Sequence, residues 1–361
     1  MTLAVYEQLG DAVSLRAAGI LRCREFDALL EELFTPDEAE LAAKMPLRPV
    51  SADGFAAELG RDPEQVKALL ESMANKAVIF SFPRGDVTFY NLMGLVPGMF
   101  DAQFTRGEFN ERDYRIARLF QDYFNATTNT AKEPQAGPTF PFARVLTVEE
   151  DIPAGVTIHP YDQVSQYIEN AEYLALATCF CRHFGELTGR PCDKPKDVCL
   201  SLGLGAKFIA ERGLGKLVSK EEALKAMERA EKAGLVHCSS NTSKYLDFIC
   251  NCCVCHCGIV QGLKNAASPS LAATSSFIAA IDEGECMGCG DCIDRCPMEA
   301  LSMQDDIAVM DANRCIGCGL CISTCSTGAL RLEAREDAPV PPLDTKALNA
   351  TIMESVSKKP Q

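Results

Sequence analysis

The chain has 361 residues, 47% hydrophobic and 24% charged, and this balance predicts a folded protein with room for two or three domains. Its formal net charge of −15 disfavours binding to nucleic acid or to anionic lipid. No run of 18 apolar residues occurs and the first residues lack a secretion-signal pattern, so we expect no membrane span and a cytoplasmic location. The unusual feature is the set of 19 cysteines, which requires a chemical explanation.

The first 150 residues contain one cysteine and the elements of a winged helix. A short helical segment, SADGFAAELG, ends at Gly60, and a second helix begins at Asp62 and Pro63. The next segment, VIFSFPRGDVTFYNL, alternates as two strands around a turn at 83–86. Winged helices usually bind DNA, but the candidate recognition helix at 62–77 has a net charge of −1. We therefore predict that 1–150 is a winged-helix-like domain that docks a protein.

Residues 151–271 form a second predicted domain, in which the cysteines fall into two groups. The first group is spread over CFCRH, GRPCDKP and DVCLSLG, and the second is the dense run FICNCCVCHCG. A helix predicted to begin after Ser219 and to stop at Gly234 separates the two groups in sequence. The candidate metal ligands of this domain are Cys179, Cys181, Cys192, Cys199, Cys250, Cys252, Cys253, Cys255 and Cys257.

These middle cysteines predict a third metal centre, because unligated thiols in such number are open to oxidation. The smallest four-thiolate set is the first group, Cys179, Cys181, Cys192 and Cys199. Members of the dense run are alternative or additional ligands. We favour a third [4Fe-4S] cluster here. A zinc site and a redox-active dithiol stay open, because C-x-C steps are poor for the usual cluster loop. His256, between two cysteines, is a further candidate ligand.

Residues 272–335 carry the most specific pattern, two copies of C-x2-C-x2-C-x3-C. The first copy, CMGCGDCIDRCP, ends in proline, whereas the second, CIGCGLCISTCS, has Ser326 at that position. The copies are 29 residues apart, and an Ala-Leu pair follows each copy at the same offset, at 300–301 and 329–330. The spacing is typical of bacterial ferredoxins with two clusters and disfavours a zinc site built from CxxC pairs.

In this pattern three cysteines of one loop hold a cluster and the fourth ligand comes from the other copy. The spacing therefore predicts two [4Fe-4S] clusters, one held by Cys286, Cys289, Cys292 and Cys325 and the other by Cys315, Cys318, Cys321 and Cys296. Four loop glycines are expected to let backbone N–H groups approach the cluster sulfides: Gly288, Gly290, Gly317 and Gly319.

Together these segments resemble the 4Fe-4S dicluster ferredoxin-type proteins of anaerobic bacteria and archaea. The likeness is carried by the winged-helix-like region, a CxCR...C...C segment followed by ICNCCxCxC, and the C-terminal motifs. It implies a multidomain α+β protein with a winged-helix-like N-terminal domain, a cysteine-rich α/β middle domain and a C-terminal two-cluster ferredoxin fold. His256 stands where such a run would have another cysteine.

The resemblance also implies cytoplasmic electron transfer with a redox partner. We predict an iron-sulfur electron-transfer protein that is a component of an oxidoreductase system. We identify no catalytic acid-base pair in the sequence. Single electrons would pass through two ferredoxin-type clusters and a third centre. Two alternatives stay open: a redox-sensing winged-helix regulator, and an oxidoreductase whose middle cluster has an open coordination site. A tail at 336–361, with apolar residues at helical spacing, completes the predicted organisation.

Overall fold

A computed structural model describes residues 2–16, 20–130, 140–149, 162–336 and 338–357. The chain forms two compact units. The first contains Met1–Gly137, Ala177–Cys192 and Lys207–Lys216, and the second contains Pro138–Leu176, Asp193–Ala206 and Leu217–Gln361. The boundary expected at 150 and 151 lies outside the described residues, so the domain limits drawn from the sequence stay predictions.

The described residues mix helices and strands, in agreement with an α+β fold class. The helices are α1 (Thr2–Ser14), α2 (Arg24–Leu33), α3 (Pro36–Ala43), α4 (Ala52–Leu59), α5 (Pro63–Asn75), α6 (Phe100–Gln103), α7 (Glu111–Thr130), α8 (Val164–Asn170), α9 (Phe180–Leu187), α10 (Gly203–Glu211), α11 (Lys220–Lys232), α12 (Gly258–Asn265), α13 (Pro269–Ala273), α14 (Asp291–Arg295) and α15 (Thr345–Ser357). The strands are β1 (Val50–Ser51), β2 (Ile79–Arg84), β3 (Val87–Leu92), β4 (Ala143–Leu146), β5 (Leu174–Ala177), β6 (Cys199–Leu202), β7 (Lys216–Leu217), β8 (Val236–Ser240), β9 (Phe248–Cys252), β10 (Phe277–Ile281), β11 (Leu301–Gln304), β12 (Ile307–Met310) and β13 (Leu330–Ala334).

The helix pair and the hairpin expected in the N-terminal region are present in the first unit. Ser51 caps α4 by accepting a hydrogen bond from the N–H of Gly54, and Gly60 ends the helix in the left-handed conformation. Asp62 caps α5 in the same way, through the N–H of Gln65. Strand β3 lies between β1 and β2 in a three-stranded sheet. The secondary-structure prediction is confirmed, while its assignment to a winged-helix domain stays a prediction.

An aromatic core in the first unit holds the helix that follows Cys179. Phe184 of α9 packs edge-on against Phe100, with ring centroids 5.2 Å apart, and also contacts Phe104 and Phe124. Cys179 is the N-cap residue of α9. This core therefore fixes the first two cysteines of the middle group to the first unit.

The second unit is built on a six-stranded sheet with the order β4-β8-β9-β6-β5-β7. Helix α11 covers part of it and begins with the capping box expected from the sequence, in which Ser219 and Glu222 bond each other's backbone N–H. Gly234, just after this helix, has φ +74°, as expected for a helix stop. The predicted helix between the two cysteine groups is confirmed.

The two faces of this sheet carry different side chains. On one face, Leu146, Leu200 and Ile249 pack with the apolar residues of α8 and α11. On the other face, Val145 and Val236 share an apolar cluster with the cysteines of β8 and β9 and with the C-terminal part of the unit. Because side chains alternate along a strand, this division decides which cysteines face the C-terminal motifs.

The C-terminal part repeats one pattern of strand pairing. Strand β10 pairs antiparallel with β13 and places Ile281 opposite Leu330, while β11 pairs with β12 and places Leu301 opposite Met310. Met310 and Leu330 follow Ile281 and Leu301 by the same 29 residues that separate the two cysteine motifs. The duplication seen in the sequence is therefore also present in the strand pairing.

The tail forms part of the second unit. Its entry is fixed by the N–H groups of Ser243 and Lys244, which donate to the carbonyls of Pro342 and Leu343 at 2.9 and 3.0 Å. Helix α15 follows, with Leu348 buried. The tail therefore contains a helix, as the spacing of its apolar residues indicates. In the described part of the chain, no helix has the length and apolar character needed to cross a membrane.

Candidate iron-sulfur sites

The eight cysteines of the C-terminal motifs line two separate cavities. We call the first the exposed site, lined by Cys286, Cys289, Cys292 and Cys325. We call the second the buried site, lined by Cys296, Cys315, Cys318 and Cys321. In both, three cysteines come from one loop and the fourth from the other motif, which is the grouping expected from the spacing. Their role as cluster ligands stays a prediction.

The sulfurs of the buried site are close enough to affect one another. Burial is the main reason that the pKa of Cys318 rises to about 12, and the charges of Cys315 and Cys296 act in the same direction. Burial, followed by the same neighbours and Cys318, also raises the pKa of Cys321. Thiolates so arranged need positive charge between them, and bound iron supplies that charge. The donor set therefore fits a cluster.

The exposed site has a related but less enclosed sulfur environment. Burial raises the pKa of Cys292, and the charges of Cys289, Cys286 and Cys325 add to the rise. Burial acts on Cys325 in the same direction, but the hydroxyl of Thr327 and nearby backbone N–H groups outweigh it, so the pKa of this thiol is lowered. Again four sulfurs from two motifs share one electrostatic environment, so this set also fits a cluster.

Backbone N–H groups donate to the first cysteine of each loop from the other repeat. The N–H of Ala308 lies 3.5 Å from Sγ of Cys286, and the N–H of Ala279 lies 3.5 Å from Sγ of Cys315. The two donors are 29 residues apart, as are the two acceptors. Such hydrogen bonds favour the thiolate and tune a bound cluster. Each site is thus completed by both repeats.

The loop glycines are required by the backbone. All four have positive φ, between +65° and +85°. A Cβ on Gly288 would collide with the carbonyl oxygen of Asp306, and a Cβ on Gly317 would collide with that of Phe277. The sequence predicts that these glycines allow backbone N–H groups to approach the cluster sulfides. At Gly288 and Gly317 the close approach in the structure is to the backbone of the other repeat, in the turn before β12 and in β10 respectively.

Cysteines of the middle group form a row across the sheet of the second unit. Cys238 of β8 lies directly opposite Cys250 of β9. On the other side of β9, Leu200 pairs with Ile249, and this antiparallel register puts Cys199, the first residue of β6, beside Cys250. Residues opposite one another point to the same face of a sheet. Three thiols from three strands therefore share the face that carries the C-terminal part.

Two further cysteines join this row. Hydrogen bonds with Cys238, Cys250 and Cys257, together with burial, raise the pKa of Cys252 well above its ordinary value. We call the whole group the sheet cysteines: Cys199, Cys238, Cys250, Cys252 and Cys257. The sequence did not identify Cys238 as a ligand. Its position opposite Cys250 in adjacent strands was the missing information, since register is not readable from spacing alone.

The other predicted middle ligands lie elsewhere. Cys179, Cys181 and Cys192 belong to the first unit, so their grouping with Cys199 stays a prediction. Cys253 and Cys255, with His256, have ligand atoms within 4.8 Å of one another in the turn after β9. None of the 19 cysteines, all of which lie in the described ranges, forms a disulfide.

Comparison with known proteins identifies the C-terminal segment. A family model described as a 4Fe-4S dicluster domain matches residues 285–329 and so covers both cysteine motifs. No curated protein and no solved structure gives a significant match. The match and the cysteine-rich arrangement support an iron-sulfur protein. The matched domain implies a 4Fe-4S cluster and suggests a role in electron transfer.

Proposed function

We propose that this protein transfers single electrons through two ferredoxin-type [4Fe-4S] clusters. The observation that carries the proposal is the pair of cavities, each lined by four cysteines drawn from both motifs. The cysteines of the exposed site would hold one cluster and those of the buried site the other. When bound, each cluster accepts and releases one electron at a time.

A third [4Fe-4S] centre at the sheet cysteines is part of the proposal. Cys238, Cys252 and Cys257 lie in the same apolar cluster as three cysteines of the buried site. Apolar packing therefore connects these groups, and it limits the access of water to them. This arrangement supports transfer between the middle centre and the buried site. The five sheet cysteines exceed the four thiolates that a cubane needs, so one of them is left for another role.

The exposed site is the place at which we expect electrons to pass to or from a redox partner. Cys289 is exposed, and the neighbouring Met287 is 66% exposed. An approaching protein can therefore reach this loop without any rearrangement of the chain. The N-terminal region completes the proposal as a docking domain, and the thiol chemistry suits a reducing cytoplasm of a cell growing without air.

Metal analysis of the full chain, purified under strict anaerobiosis, tests the proposal. We expect about twelve iron and a similar amount of sulfide per chain, about eight of each from the C-terminal motifs. Joint replacement of Cys252 and Cys257 by serine should remove about four iron and leave the other eight. Cys23→Ser, a change in the first unit, is the matched control and should retain all of them.

Each outcome bears on a separate part of the proposal. A wild-type content of eight iron would overturn the third centre and leave the two-cluster carrier intact. A content below eight in fully reconstituted protein, or no dithionite-dependent paramagnetic signal, would overturn the electron-transfer assignment itself. Co-purification of a redox protein that reoxidises the reduced chain would identify the partner.

A further inference from the structure

The turn between β9 and α12 holds three metal-binding side chains in four residues. Cys253 is buried, His256 is partly buried and Cys255 is exposed, and their ligand atoms all lie within 4.8 Å of one another. Sγ of Cys253 and Nδ1 of His256 are 4.0 Å apart. Two such atoms bound to one tetrahedral zinc ion would be about 3.6 Å apart. The observed spacing needs only a small contraction to accommodate an ion.

The backbone of this turn is held from both sides. The N–H of Cys257 donates to the carbonyl of Cys253 at 3.1 Å, and the side-chain amide of Gln261 donates to the carbonyl of Cys255 at 2.9 Å. Helix α12, which contains Gln261, packs its residues Val260 and Leu263 into the core of the unit. The three ligands are therefore presented by a fixed turn, which reduces the entropy cost of binding.

Strand geometry separates this turn from the sheet cysteines. Cys250 and Cys252 point to one face of β9, whereas Asn251 points to the other, where it contacts His237 and the carbonyl of Val198. Cys253 lies one residue past the strand, and its Sγ lies within 4.8 Å of the ligand atoms of Cys255 and His256. Neighbouring cysteines of the dense run therefore belong to two different groups, the sheet cysteines and the turn after β9. One cluster cannot use all of these donors.

We propose that Cys253, Cys255 and His256 bind a single zinc ion, separate from every iron-sulfur cluster. Two thiolates and one imidazole are donors that zinc favours, and three protein ligands leave a fourth position for water or a further donor. A mixed nitrogen and sulfur set is less suited to a cubane, which is held by thiolates. Bound zinc would join the end of β9 to the start of α12. The proposal refines the third centre of the proposed function, but it does not depend on that centre.

Zinc and iron are measured together on the full chain, produced with zinc in the medium and purified anaerobically. We expect about one zinc per chain, with an X-ray absorption spectrum that contains both sulfur at about 2.3 Å and nitrogen at about 2.0 Å. Cys255→Ser and His256→Ala should each lower zinc at least fivefold and leave iron unchanged. Cys23→Ser is the control and should retain zinc.

The variant His256→Cys separates a ligand from a structural side chain. It should restore zinc to the wild-type level with an absorption spectrum in which one sulfur replaces the imidazole nitrogen. The proposal is overturned if zinc is absent from the wild type, if Cys255→Ser leaves zinc unchanged, or if the turn variants lose iron in place of zinc. Failure of the third cluster would appear as eight iron with the zinc results unaltered, so the two failures are distinguishable.

Discussion

The exposed site and the buried site are copies of one motif that occupy opposite environments. Met287 in the first loop is 66% exposed, whereas Ile316, at the same position of the second loop, is 2% exposed. Asp291 of the first loop is also exposed, and its counterpart Leu320 is buried. Duplication therefore preserved the eight sulfur positions while the surroundings diverged. The cysteine motif determines the positions of the ligands, whereas the segments that pack on each loop determine its exposure to solvent.

The buried loop is covered by the chain that follows β4. The N–H of Val148 donates to the carbonyl of Cys318 at 3.1 Å, and the hydroxyl of Thr147 donates to the carbonyl of Gly317 at 2.7 Å. Arg335 adds a hydrogen bond to the carbonyl of Cys315. These partners satisfy three loop carbonyls that water would otherwise solvate, which lowers the free-energy cost of burying the loop.

The largest expected difference between the two sites is in the effect of losing a ligand. Cys318→Ser should remove about four iron and destabilise the second unit by more than about 3 kcal/mol, because it leaves a hydroxyl and unbound thiols in the core. Cys289→Ser should also remove about four iron, but with a smaller loss of stability, because Cys289 is exposed. Iron analysis and chemical unfolding of both variants test this. Equal losses of stability would contradict the comparison.

The next effect concerns the close approach of the repeats. Gly317→Ala should destabilise the unit by more than about 3 kcal/mol, because the added Cβ would overlap the carbonyl oxygen of Phe277 in addition to the cost of positive φ. Gly328→Ala is the control, since Gly328 has φ +72° and no atom within 4 Å of an added Cβ. Its cost should be about 1 kcal/mol. Denaturant unfolding measures both, and similar costs would exclude the steric explanation.

The repeat and the ligand grouping could be predicted from the sequence, because a fixed offset of 29 residues relates the two motifs. The difference in burial between the two loops is also partly predictable from the sequence, since Leu320 stands where the first loop has Asp291. The cover from Thr147 and Val148 was not readable, because the interaction joins residues about 170 positions apart. Spacing predicts local chemistry but not which distant backbone packs on it.

The middle cysteines illustrate the same limit. The dense run of cysteines predicts metal binding. Which of its cysteines belong to which group depends on strand register and on the alternation of side chains. Cys238 joins the sheet cysteines because β8 pairs with β9, and no motif near Cys238 indicates this. The helix from Lys220 to Lys232, in contrast, was predicted from its caps, which are local signals.

The two sites should also differ in reduction potential. Reduction adds negative charge, and burial disfavours charge, so the buried site should have the lower potential. Hydrogen bonds reach sulfur in both sites, so the difference in burial is expected to set the order. A redox titration followed by electron paramagnetic resonance, with Cys289→Ser used to assign the signals, measures the order. Two equal potentials, or the reverse order, would contradict this account.

The smallest expected effect isolates the cover of the buried loop. Thr147→Val keeps the size of the side chain but removes the hydroxyl that donates to the carbonyl of Gly317, 2.7 Å away. Loss of one buried hydrogen bond should cost about 1–2 kcal/mol, because the carbonyl oxygen loses that donor inside the unit. Thr327→Val is the matched change at the exposed site, where water can replace the lost contact, and should cost less than about 0.5 kcal/mol. Unfolding of the two variants in urea gives the difference directly. If Thr147→Val is the less damaging of the two, the cover from the chain after β4 is not what stabilises the buried loop.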